Sequence, residues 1–363
     1  MGIYLGTLFI SFLFALLYKK GAENEADIKF KNGKLVIRKK IIYGIISFAP
    51  LTLIAGLRYD VGTDWGGTYI NIFNTVKNGR SIRDVGYGLL NKFVLLFTSD
   101  YAGIIFLTAL ISGIFIYLAI FQQSDIPSMS ILLYVFTCQY FFSLNVIRQA
   151  MATAIFLYAM KYIVKRDYKR YFFWIIIAST IHTMAIIYIP LYFYKILAKF
   201  YKQTIVIILL LLLFSQDIVN FVTNVFYNIE FLRKYFYWYF HSEYNSGNVS
   251  FVSLAVQISV LVFMLFIYYR NESDARSQLF ITMQIICVAM LLFSGMIPLM
   301  QRISYFFSFA NIIYIPDYIS RINNRMMRFV ASIIVITCFF AYMWVTTAIW
   351  NYNEVLPYQS IFN

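Results

Sequence analysis

Eleven apolar runs, each closed by charged or polar clusters, limit what this chain can fold into. They lie near 2–18, 41–57, 102–121, 128–144, 147–164, 171–195, 203–225, 250–269, 279–298, 302–320 and 329–350. A stretch of ~20 apolar residues crosses a bilayer as a helix, because only bonds within the segment satisfy its backbone there. Composition agrees, with 61% hydrophobic and only 13% charged residues in 363, where soluble domains carry ~25% charge. A soluble globular domain and a disordered chain are excluded, and no alternating ten-residue pattern indicates a transmembrane barrel. The expected fold is all-α and polytopic, with about 10–11 transmembrane helices. With neither internal repeat nor linker, residues 1–363 read as a single transmembrane domain.

The net charge of +14 would suggest nucleic acid in a soluble protein. Here the lysines and arginines sit at the ends of apolar runs, where they anchor helices and set orientation. The partner they indicate is the lipid bilayer, with no nucleic acid. Cys138, Cys287 and Cys338 stand singly inside apolar segments and match no disulfide or metal spacing. Residues 2–18 lack a basic leader and a small-residue cleavage site, so they read as a retained helix.

Basic residues concentrated at 19–40 make that loop cytoplasmic. The N-terminus and the long 58–101 connection then lie outside, and Lys165-Arg166 falls inside three crossings later. Strict alternation thereafter puts Arg321, Arg325 and Arg328 outside, against the rule. A re-entrant segment between 171 and 225 removes that conflict. If it is 171–195, Lys195, Lys199 and Lys202 also fall inside, with Ser179-Thr180-Ile181-His182-Thr183 as the turning point. The alternative is an ordinary crossing with Lys195 snorkelling to the interface. The ten-crossing arrangement gathers 58–101, Arg148, 226–249, Arg302 and the residues from Asn351 onward on the outer face.

Several polar residues there are costly at membrane depth and so read as functional. Arg148 joins two apolar runs, with Asn145 and Gln149 expected one helical turn apart beside it. Arg302 opens another run. Two guanidiniums on one face suit a phosphate or pyrophosphate. Residues 58–70 combine Arg58, Asp60, Asp64, Trp65 and Tyr69 with glycines, a set able to offer carboxylate base chemistry and aromatic faces for sugar rings. The same residues would also make an ordinary turn at a helix end. Asp84-Val85-Gly86-Tyr87 is a weaker signal of the same kind. His182 is isolated among apolar residues, and His241 belongs to an aromatic stretch typical of membrane interfaces. No ATP-binding loop, zinc helix or serine elbow is present in the sequence.

Taken in order, Ala55-Gly56-Leu57-Arg58-Tyr59-Asp60-Val61-Gly62-Thr63-Asp64-Trp65 with Tyr69 and Phe73, Gly86-Tyr87-Gly88, Asn145-Val146-Ile147-Arg148-Gln149, Ile181-His182-Thr183, Arg302-Ile303-Ser304-Tyr305 and Leu356-Pro357-Tyr358 resemble the EpsG family of Wzy-type polysaccharide polymerases. The chain departs from the family pattern in three places. Trp65 stands where tyrosine is more usual, Asp84 where glutamate commonly precedes Gly-Tyr, and Ile181 where phenylalanine is frequent.

The resemblance implies a GT-C-like integral-membrane glycosyltransferase of the bacterial cytoplasmic membrane. It would join undecaprenyl-pyrophosphate-linked oligosaccharide repeat units on the outer side, for capsule, O-antigen or exopolysaccharide, alongside a flippase and a chain-length regulator of the same pathway. It implies catalytic roles for Asp64, His182, Arg148 and Arg302: Arg148 and Arg302 on pyrophosphate, with Asp64 the first candidate for general base and His182 the second. Substrate contacts fall to Arg58, Trp65, Tyr69, Tyr87, Asn145, Gln149 and Tyr305, with neither cofactor nor metal. A flippase of lipid-linked oligosaccharides and a glycan ligase remain the competing readings.

Overall fold

A computed structural model describes residues 1–20, the backbone of 28–31 and 34–37, 39–200, isolated positions between 203 and 228, 250–269, 274–295, 297 and 300–362. The expected 203–225 crossing is largely outside the described residues, and the 226–249 loop with His241 lies wholly outside them apart from position 228. The described residues form two compact units, Met1–Ile189 with Ile312–Asn363, and Pro190–Asn311.

In the first unit, α1 (Gly2–Lys20), α2 (Lys39–Gly56), α5 (Ala102–Gln123), α8 (Ile147–Val164) and α9 (Tyr168–Ile181) pack successively, α1 on α2, α2 on α5, α5 on α8 and α8 on α9. Helix α8 is buried on all sides, as a core helix surrounded by others must be. Its Ala150, Ala152, Ala154 and Ala159 are buried, and such small side chains let neighbouring backbones approach without hydrocarbon to displace. The 128–144 run is not one helix. It forms α6 (Pro127–Phe136) and α7 (Gln139–Asn145), bent by 55° at Cys138, which has a left-handed φ of 62°. Helix α14 (Asn311–Ser320) and helix α15 (Arg325–Met343), continued by a π-helical turn to Ile349, complete this unit.

Among the described residues five helices are long and apolar enough to cross a membrane, six with the bent pair. The protein is therefore an all-α, multi-pass membrane protein. A short antiparallel hairpin, β1 (Ile28–Lys31) with β2 (Lys34–Ile37), occupies the basic 19–40 connection. Alternating Ile28-Lys29-Phe30-Lys31 and the Asn32-Gly33 pair are its sequence signal.

One end of the first unit is basic. There Lys161 Nζ donates to Gln122 (2.6 Å), the Ser320 hydroxyl donates to Asp125 (3.0 Å), and Arg321 pairs with buried Asp317 (2.9 Å). The opposite end carries Arg58, Asp84, Arg148 and the residues after Asn351, tied together by the bonds described below.

The 171–195 run reverses. Helix α9 leaves the basic turn at Lys165-Arg166 and ends after Ile181, where His182 turns extended (φ −148°, ψ 110°). The chain then coils as a 3-10 helix, Thr183–Phe193, far longer than the three or four residues usual for that form. Thr183 shares Asp84 with Arg148, at the start of α8. Yet Tyr188 stacks on Phe156 at 3.6 Å and donates to Thr153, two turns further along α8. Its carbonyl accepts from Tyr171, in the first turn of α9, at 2.6 Å. From His182 to Tyr188 the chain thus runs back toward the basic end, the course of a re-entrant segment.

The second unit contains α10 (Tyr194–Lys199), α11 (Phe251–Tyr268), α12 (Ala275–Leu292) and α13 (Met300–Ser308), with α12 packed on each of the others. Gln284 on α12 donates to Gln257 on α11, whose side-chain oxygen also accepts from Asn311. The 302–320 run is thereby divided, since α13 ends at Ser308 and α14 begins at Asn311.

In a cysteine-free background, Arg166→Cys and Tyr352→Cys, both at exposed positions, should react with an impermeant maleimide from opposite sides of the membrane. Labelling of both in sealed cells would overturn this arrangement.

Candidate functional site

Residues 58–64 are built into the non-basic end of the first unit by the C-terminal segment. Tyr59 N–H donates to the Gln359 carbonyl (3.0 Å), Gly62 N–H to the Glu354 carbonyl (3.0 Å), and Ile361 N–H to the Leu57 carbonyl (3.0 Å). Tyr4 and Tyr358 hydroxyls add bonds to the Val355 and Ile54 carbonyls. Gly62 adopts φ +103° and lies against the Asn145 side chain, so a Cβ there would meet both strain and a collision. Asn145, at the end of α7, donates to the carbonyl and side-chain oxygens of Asn353 (3.1 and 3.0 Å).

Within this frame Arg58 is 1% exposed. Its guanidinium donates to the Ala55 and Leu144 carbonyls and lies over the Trp65 ring. The Arg58 Nε has no hydrogen-bond partner, and no carboxylate pairs with the side chain among the described residues. Trp65 itself is buried between Tyr59 and Tyr101. Tyr69 and Tyr87 are also buried. This structure keeps these three of the four expected substrate-contacting aromatics in the packed interior.

The residue joining the cluster is Asp84, which precedes α4 (Val85–Leu95) and is 5% exposed. It occupies the helix-start position, yet its carboxylate does not cap the helix. Oδ2 instead pairs with Arg148 Nη1 at 2.6 Å, while Oδ1 accepts from Thr183 N–H (3.1 Å) and the Thr183 hydroxyl (2.7 Å). His182 Nδ1 stands 3.8 Å from Oδ2. Gly86 allows the approach, because any larger residue would strike Thr180. Burial alone would raise the Asp84 pKa, but the contacts from His182, Thr183 and Arg148 outweigh it and hold the carboxyl well below the usual carboxylate range.

Arg148 is 25% exposed and lies over the Tyr87 ring at 5.8 Å. Of its five N–H donors, only the one on Asp84 is bonded among the described residues. Tyr69 lies in the fields of Asp64 and Arg148. Burial first, and then the Asp64 charge, push its phenol well above its ordinary value, while Arg148 opposes the shift. Asp64, half-buried, begins the π-helical turn Trp65–Ile70.

The first unit therefore brings together Arg148, His182, Tyr87, Tyr69 and Asp64, with Arg58, Trp65 and Asn145 in the adjoining layer. Gln149 is buried on α8. It does not continue a helix from Asn145, because the chain breaks at Val146 (φ −90°, ψ 59°). That break, which makes Arg148 the second residue of a new helix, corrects the expected patch of two residues one turn apart. Arg302 and Tyr305 lie on α13 of the second unit, both half-buried. In the sequence Asp84 gave only a weak signal beside Gly86-Tyr87; the reversal at His182 shows its partners.

A membrane-embedded arginine, histidine and two carboxylates at one end of a helical bundle define a polytopic membrane protein with a polar site at that end. The chain matches the EpsG family model over residues 41–360 and belongs to that family, a family of Wzy-type polymerases. No curated protein and no solved structure matches it.

Asp84→Ala and Arg148→Ala should each destabilise the protein in micelles, and the double variant should lose less than their sum by about 1–3 kcal/mol. Additive losses would show that the pair is not coupled. Because the Asp84 pKa falls on folding, its contribution is complete above the unfolded carboxylate value. It disappears as pH drops through the lower folded value. Asp84→Asn should lack that acid-dependent component in thermal melts.

Proposed function

We propose that this protein polymerises lipid-linked oligosaccharide repeat units on the outer side of the bacterial cytoplasmic membrane. The observation that carries this reading is Arg148: a partly exposed guanidinium anchored through one N–H, with its other donors uncommitted among the described residues. Such a fork suits the oxygens of a pyrophosphate. Membership of the EpsG family supports the polymerase class.

In this reading the growing chain is the donor, attached through its terminal anomeric carbon to undecaprenyl pyrophosphate. A hydroxyl of the incoming unit attacks that carbon, the carbon–oxygen bond to pyrophosphate breaks, and the lipid pyrophosphate leaves with the electron pair. Arg148 binds the pyrophosphate and stabilises the charge that develops on it; Arg302 is assigned the same task. His182 accepts the hydroxyl proton. Its support is Asp84, whose Oδ2 lies 3.8 Å from Nδ1, the side from which a carboxylate orients a catalytic imidazole. Asp84 itself, held ionised by its ion pair and hydrogen bonds, is a poor proton acceptor and serves as a positioning residue. Asp64, the other candidate base, stands beside Tyr69, and its role is to orient the glycan.

A chain-length regulator and a flippase complete the proposed set of partners. The flippase reading for this chain itself has less support, because no matched pair of broken helices from repeated halves is visible among the described residues.

Deleting the protein should leave glycan capped by a single repeat. The intact chain should restore long polymer, and Arg148→Ala or Arg302→Ala should not, at equal membrane abundance. Lipid-linked units trapped on the inner leaflet after deletion would instead identify a translocator. His182→Gln should lower turnover at least 100-fold with little change in KM. Asp64→Asn should mainly raise KM. The reverse pattern would move the base to Asp64.

A further inference from the structure

The two legs of the reversed segment enclose a groove of about 370 Å³, within the size range of small-ligand sites. Phe172, Ile175 and Ile176 of α9 form one wall, and Ile186 and Ile189 of the returning 3-10 helix the other. From Phe172 to Thr180 the groove follows α9 for about 12 Å, at ~1.5 Å rise per residue. Polarity changes along it. The end near His182 carries Arg83, Ser179 and Thr180, and the Ser179 hydroxyl is buried without a partner among the described residues. The other end is wholly hydrocarbon.

Arg83 immediately precedes Asp84, so the polar end of the groove opens beside the Arg148–Asp84 pair. Ile176 and Ile186 are more than half exposed, and in a membrane such exposure faces lipid.

We propose that this groove binds the first isoprene units of a polyprenyl phosphate, with its anionic head at Arg83 and its chain directed along α9. Charge complementarity selects the occupant at the polar end. At the apolar end the walls are hydrocarbon alone, which suits an isoprenoid chain. The assignment rests on the polymerase reading, to which it adds the place where the carrier lipid lies: the head reaches Arg148 while the tail remains in the bilayer.

The test is photo-crosslinking in the full-length protein, with benzoylphenylalanine at position 176, 186 or, as a control on an exposed lipid-facing surface, 334. The probe is 32P-labelled undecaprenyl phosphate. Label at 176 and 186 should exceed that at 334 about tenfold. Excess unlabelled undecaprenyl phosphate should abolish it and equal phosphatidylglycerol should not, and Arg83→Ala should reduce it several-fold. Ile189→Trp, at a lining position that carries no probe, should block labelling at 176 and 186 and shorten the glycan at unchanged membrane abundance. Equal labelling at 334, or competition by phosphatidylglycerol, would make this an ordinary lipid surface and overturn the proposal. Absence of label at 176 and 186 would also overturn it.

The glycan assay separates the two readings. If deletion abolishes chain growth but labelling is unspecific, the groove assignment fails and the polymerase stands. If labelling is specific but the deleted strain still makes long chains, the polymerase reading fails and the lipid site stands.

Discussion

The contact between Arg148 and Asp84 is the constraint around which the first unit is arranged. A lone arginine or aspartate at the end of an apolar bundle carries a desolvation cost of several kcal/mol. The 2.6 Å ion pair removes most of that cost, but only if three distant stretches meet: residues 78–84, the first turn of α8, and the break after α9. The break at Val146 starts a helix just before Arg148, Gly86 admits Thr180, and His182 leaves the helical conformation so that Thr183 can donate twice to the same carboxylate. Each local irregularity serves one charge balance.

That arrangement also separates the tasks of similar residues. Arg58 and Arg148 are both arginines near the same end of the unit. Arg58 is sealed, its donors turned to backbone carbonyls and its plane to Trp65, so it holds the loop in place. Arg148 keeps donors facing outward. Likewise Asp84 is locked by its partners, whereas Asp64 is half-exposed at the start of a π-helical turn.

Much of this was legible in the sequence. The apolar runs marked most of the helices, and the basic clusters marked one end of the first unit. The conflict they created around Lys195 led to a reversal centred on 179–183, where the chain does turn. What remained hidden depended on three-dimensional partners. Residues 128–144 read as one hydrophobic run, because hydropathy does not register the left-handed Cys138 that bends it. Asp84 gave only a weak signal, since local sequence cannot show a carboxylate turned away from its own helix toward residues 64 and 99 positions later. The aromatics Trp65, Tyr69 and Tyr87 read as sugar platforms, yet their hydrophobic area is used in packing. The hairpin at 28–37 was announced by Asn32-Gly33 and overlooked because the basic charge dominated that stretch.

The strap formed by residues 351–361 has a consequence for biosynthesis. Leu57, Tyr59 and Gly62 are translated almost three hundred residues before the carbonyls and amides that hold them. Until then the segment bearing Arg58 and Asp64 has its contacts with Leu144 and Asn145 but not the backbone bonds of the strap. A nascent chain that stalls before residue 351 therefore carries the helices of the first unit while residues 57–62 still lack those bonds.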